Sequence, residues 1–111
     1  MGTHLYFVLT DPDDTSRLVV AAALVSERQH TDKTCRLDAG DHPFIRHASN
    51  IDYGSPTFVP ISRVSAWLND GRATPQPELS VAVLQRVQAG LLASSRTIHV
   101  IAEHCRAHFD E

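Results

Sequence analysis

Nine consecutive uncharged residues, Leu18–Ser26 (LVVAAALVS), constrain this chain more than any other stretch. Leu18, Val19 and Val20 lead it, and β-branched residues favour extended backbone. A short run that is apolar at odd and even positions alike reads as a strand buried on both faces, although the three alanines leave a helix open. Ahead of it, His4–Thr10 (HLYFVLT) reads as a strand that stops at the acidic, proline-bearing loop DPDDTS. Behind it come a polar connector, ERQHTDK, and a short strand candidate, Thr34–Asp38, ending at Gly40.

From Leu37 to Tyr53 the chain concentrates groups able to bind or move protons: LDAGDHPFIRHASNIDY. Asp41-His42-Pro43 predicts a turn, because proline fixes its own φ and pushes the residue before it toward extended geometry. Phe44 onward is then expected to run as a strand, with Phe44, Arg46 and Ala48 on one face and Ile45, His47 and Ser49 on the other. SPTFVPIS supplies one more strand, confined by Pro56 and Pro60 to an edge or to its ends.

After Ser62 the pattern becomes helical. RVSAWLNDG predicts one or two turns closed by Gly71, and RATPQPE is a linker whose Pro77 suits the first turn of a following helix. Leu79, Val83, Leu84, Val87 and Leu91 then form a helical stripe, interrupted by Gly90 and by Ser94-Ser95. A last helix is expected from Arg96, with Ile98, Ile101, Ala102, Cys105 and Phe109 on one face. The expectation is a single α+β domain over residues 1–111, strand-rich over 4–62 and helical over 63–109. Its architecture would be a small SH3-like barrel or a strongly curved antiparallel sheet with C-terminal helices.

With 111 residues, 42% apolar and 21% charged, the chain has the composition of a folded domain. Its net charge of −3 excludes a body held to nucleic acid by bulk electrostatics, so such a site has to be local. Cys35 and Cys105 lack CxxC spacing and read as buried free thiols in a reducing compartment. With no signal-peptide pattern and no membrane-length apolar run, a cytoplasmic location is expected.

The order of elements, with Arg17-Leu18-Val19-Val20 opening the long strand and NIDYGSPTFVPISRV preceding a terminal helix, resembles the PemK/MazF-like toxins. Leu18 stands where that family usually has proline, and DPDDTS replaces its glycine-containing loop. The resemblance implies an SH3-like barrel, a homodimer, an antitoxin protein as partner, and cleavage of single-stranded RNA without metal. On the resemblance Arg17 would stabilise phosphate and Asp52 would be the acid that orients or assists; His42 or His47, from a segment outside that family's pattern, is the expected proton carrier on chemical grounds. These are suitable types, since histidine moves protons near neutral pH and arginine meets developing phosphate charge. Arg46, Ser49 and Tyr53 complete the candidate binding set.

A competing reading makes Asp41-His42 a capped turn, Arg46 a surface residue and Asp52 a loop acid. The protein would then be a non-catalytic barrel binding a protein or nucleic acid along HPFIRH. His104 and His108, spaced i, i+4 with His99 close in register, read as a solvated helix face, and neither metal nor cofactor is expected.

Overall fold

The computed structural model describes residues 5–109; His4, the expected start of the first strand, lies outside them. Leu18–Ser26 forms β2, a strand over the whole uncharged run. Its side chains alternate between two layers. Val20, Ala22 and Leu24 enter the main core, while Val19 and Ala21 enter a smaller one with Val59. The run therefore has no polar face because it has no solvent face over most of its length.

Among the described residues, three strands pair with β2, all antiparallel. β1 (Tyr6–Val8) lies along one side of it. β5 (Thr57–Pro60) and β4 (Ser49–Ile51) follow one another along the other side, and β3 (Arg36–Leu37) adds to β4. The result is a five-stranded open sheet ordered β1-β2-β4-β3, with β5 also on β2. The fold is α+β as expected, but the sheet is not closed into a barrel. Closure requires the outermost strands to pair, and here β1 and β3 are short strands left as edges.

The expected strand from Phe44 does not form. Ile45 N donates to the His42 carbonyl (3.0 Å) and Phe44 N donates to His42 Nδ1 (3.0 Å), which closes a turn on the histidine. Pairing resumes only at Ser49. Between β4 and β5, the residues Asp52–Pro56 stand opposite only Ala22 and Ala23. The surplus backbone bulges outward, carrying Tyr53 into the main core and leaving Asp52 part-exposed.

Helix α1 (Ile61–Asn69) begins where Ile61 N donates to the Arg17 carbonyl (2.9 Å). It lays Ile61, Val64 and Trp67 over the smaller core and ends before Gly71, whose φ of 82° suits a residue without Cβ. Helix α2 (Val81–Ala93) starts four residues later than Pro77 suggested, because Ser80 Oγ accepts from Val83 N at 3.2 Å and caps it. Its Val83, Val87 and Leu91 are buried in the main core, each contributing about 1.5–3 kcal/mol relative to exposure. Gly90 does not interrupt the helix. A Cβ there would meet the Tyr53 hydroxyl and Cys35, so glycine lets α2 lie close over the bulge.

Helix α3 (His99–Phe109) starts beyond Arg96 and buries Ile101 and Cys105. Ser94 Oγ takes the Arg96 N–H (3.1 Å), holding residues 94–97 in a turn rather than a first helical turn. Ile98, expected on the buried face, is therefore exposed.

Candidate functional site

The C-terminal end of β2, the loop after it, the β4–β5 bulge and the α2–α3 turn meet at one cleft. Arg28, His30, Asp32, Asp52 and Arg96 line its volume of about 380 Å³, with Ser26 and Thr31 beside them. The loop carrying Arg28 and His30 is built from internal hydrogen bonds. Arg28 N donates to Thr31 Oγ1 (2.9 Å), and Lys33 Nζ donates to the carbonyls of Arg28, Gln29 and Thr31. Thr31 Oγ1 also donates to Oδ1 of the buried Asn50 (2.6 Å), which fastens the loop to β4.

Charge within the cleft is uneven. Arg28 and Arg96 are exposed and neither makes an ion pair among the described residues. Asp32 is buried and its oxygens are taken by Ser94 Oγ, Thr34 N and Thr34 Oγ1. Burial pushes the Asp32 carboxyl upward, but those hydrogen bonds and the Arg96 charge outweigh it and hold it below the ordinary value. Asp52 Oδ1 accepts from Gly54 N (3.2 Å), a local turn that leaves the carboxylate on the cleft wall.

The expected catalytic residues do not all come together. Arg17 precedes the first residue of β2, and its φ of 60° places it in the left-handed region. His47 bonds through Nε2 to Ser26 Oγ (2.8 Å) at the last residue of the same strand. At roughly 3.3 Å per residue, the two attachment points are on the order of 25 Å apart, beyond the reach of both side chains. His42 is buried: Nδ1 accepts from Phe44 N and Nε2 lies 2.6 Å from the Pro77 carbonyl. It ties the linker to the turn and offers no nitrogen to a substrate. Asp52 lines the cleft, and His47 reaches it through Ser26.

Of the expected binding residues, Arg46 is exposed and makes no ion pair among the described residues. Ser49 and Tyr53 are corrected to structural roles. Ser49 is buried with Oγ donating to the His47 carbonyl (2.9 Å), and Tyr53 is fully buried with its hydroxyl donating to the Val87 carbonyl (2.7 Å). Burial drives the Tyr53 phenol well above its ordinary range. Arg28 and His30 sit in a polar connector and Arg96 at the expected start of the last helix, positions without a site pattern of their own. The available signal was the basic content of RQHTDK and the turn-forming Ser94-Ser95.

Two other constellations are less suited to chemistry. A second cavity of about 340 Å³ is lined by Cys35, Arg36, Arg86 and Gly90. Burial raises the Cys35 thiol despite the Tyr53 hydrogen bond and the Arg86 charge, so the thiolate is disfavoured. On α3, the solvated histidine face expected from the sequence is partly packed. His104 lies edge-on to Phe58 with centroids 4.9 Å apart and 4.4 Å from the His108 ring, whose Nε2 lies 3.1 Å from Asp13 Oδ1. Among the described residues, no three His, Cys, Asp or Glu side chains are placed to hold a metal.

No family model, curated protein or solved structure matches the chain. Among the described residues, no helix is long and apolar enough to cross a membrane.

Proposed function

We propose that this protein binds single-stranded RNA, with the cleft between Arg28 and Arg96 as its phosphate seat. The observation that carries this reading is the pair of guanidinium groups that make no ion pair among the described residues on one cleft, beside an aspartate whose charge is satisfied internally. Guanidinium groups suit phosphate because their forked donors match its oxygens. A flexible single strand can enter a cleft of this size more readily than a duplex, and His30 on the rim offers a ring for a base to stack on. The net charge of −3 makes affinity local and strongly salt-dependent.

Cleavage is a second reading, favoured by one placement. His47 hydrogen-bonds Ser26, which lines the same cleft as Asp52 and Arg96, so proton carrier, acid and cation are neighbours there. A toxin-type ribonuclease built this way would use Arg96 in the role that the PemK/MazF resemblance gives to Arg17.

Fluorescence anisotropy with a 5′-labelled single-stranded RNA decamer tests the proposal. Arg28→Ala and Arg96→Ala should each weaken binding and lower the salt slope by about 0.7, one phosphate contact on a single strand. Arg17→Ala, at the far end of β2, should leave affinity within about twofold, a change attributable to screened long-range charge. Equal losses in all three variants, or no binding at low salt, would refute the assignment. The same RNA incubated in EDTA and run on a gel decides the second reading: intact RNA at high protein concentration removes it.

A further inference from the structure

The two arms of the cleft come from distant parts of the chain, and one buried carboxylate joins them. Asp32 belongs to the loop that carries Arg28 and His30; Ser94 and Arg96 belong to the α2–α3 turn. Asp32 Oδ2 accepts from Ser94 Oγ at 2.5 Å, and Ser94 Oγ accepts the Arg96 backbone N–H at 3.1 Å. Asp32 Oδ1 is held from its own side by Thr34 N (2.9 Å) and Thr34 Oγ1 (2.6 Å). Asp32 and Ser94 are each 8% exposed, so water competes little for these bonds.

An acid beside two unpaired arginines is a poor choice for a surface that attracts phosphate. By charge alone it weakens the cleft. Its geometry shows what it supplies instead: a relay from the Arg28 loop through Ser94 to the Arg96 backbone.

We infer that Asp32 is a positioning residue that fixes the spacing of Arg28 and Arg96 so that both guanidinium groups can engage one RNA backbone. This rests on the RNA-binding reading above. It deepens that reading by naming the group that sets the cleft's width. Ser94 is its obligatory second half, and the adjacent Thr31 bonds Asn50 on β4.

The sign of one substitution separates positioning from electrostatics. Asp32→Asn keeps the shape and removes a negative charge, so electrostatics alone predicts tighter RNA binding. Positioning predicts that the dissociation constant for the labelled decamer rises about fivefold, the lower end of typical couplings between sites. The salt slope should also fall by about 0.7. In an Arg96→Ala background, Asp32→Asn should then add nothing, whereas a general loss of structure would remain additive.

Ser94→Ala breaks the same relay while keeping the carboxylate, and should weaken binding in parallel if Asp32→Asn folds poorly. Tighter or unchanged binding in a folded Asp32→Asn variant overturns the inference, as does additivity with Arg96→Ala. Amide hydrogen exchange keeps the two levels apart. Unchanged exchange at the Arg96 N–H in Asp32→Asn overturns the relay itself, whereas a wild-type chain that binds no RNA overturns the RNA reading on which the inference rests.

Discussion

Gly90→Ala should destabilise this protein even though alanine is the better helix former. In an exposed helix interior the exchange would gain about 1 kcal/mol. Here the new Cβ meets the Tyr53 hydroxyl and lies 3.0 Å from both the Tyr53 ring carbon bearing it and Cys35 Cβ. Overpacking of a buried contact costs about 1–3 kcal/mol. Moving the ring also breaks the hydroxyl's 2.7 Å bond to the Val87 carbonyl, worth about 1 kcal/mol. Set against the helix gain, the net loss is about 2 kcal/mol, or a fall in Tm of about 10 °C for a domain of this size.

Urea denaturation of Gly90→Ala, Tyr53→Phe and the double variant is the assay. Tyr53→Phe alone should cost about 1 kcal/mol through its lost hydrogen bond. Because it removes the first atom the new methyl meets, the double variant should be less destabilised than the two single losses combined, by about 1 kcal/mol. A Gly90→Ala protein at least as stable as wild type, or strict additivity, would refute the close-approach argument.

Other expectations are simpler to check. Asp13 is held down at about 2 by the Ser16 backbone N–H, the Ser16 hydroxyl, the Thr15 N–H and His108, against a weaker upward push from burial. Its folded value lies below the ordinary 3.8, so its stabilisation is complete above that pH and is lost as pH falls through about 2. Acid unfolding followed by circular dichroism should therefore be shallower for Asp13→Asn between pH 4 and 2; an unchanged profile contradicts the pairing. His42→Ala should cost about 2–4 kcal/mol by emptying a buried site and releasing the Pro77 carbonyl. Limited proteolysis should then cut faster within residues 73–80, and equal cutting rates would show that the tether is immaterial. Cys35 is raised by burial and Cys105 is pushed up to about 11 by it, so a thiol reagent at pH 8 should label both only on unfolding. Rapid labelling of the native protein would overturn that burial.

The scaffold was more legible in the sequence than the site. β2 was readable end to end because an unbroken uncharged run leaves few alternatives, and the Val83–Val87–Leu91 stripe was readable because burial repeats at helical period. Phe44–Ala48 misled: its alternation resembles a strand, yet the His42 ring captures the Phe44 N–H and bends the backbone first. A side-chain acceptor reaching its own backbone has no signature in hydrophobic periodicity.

The candidate cleft was hidden for a related reason. Chemistry-bearing residues crowd into 37–53, but His42, Ser49 and Tyr53 are consumed by packing and internal bonding. Arg28 and Arg96 line one cleft from distant parts of the chain, a juxtaposition without any local pattern. Arg17 lies at the opposite end of β2 from the Ser26–His47 pair, a separation that order along the chain does not reveal.

The placement of β2 also bears on how the chain acquires its shape. Its partners include residues as remote as Pro60, so the flank that takes β4 and β5 stays open until those strands have been synthesised, whereas β1 precedes it in the chain. Topologies dominated by distant pairings fold slowly, commonly in milliseconds to seconds. During that interval the nascent LVVAAALVS segment is the stretch most exposed to misassociation between chains, and chaperone dependence during expression should track changes made there.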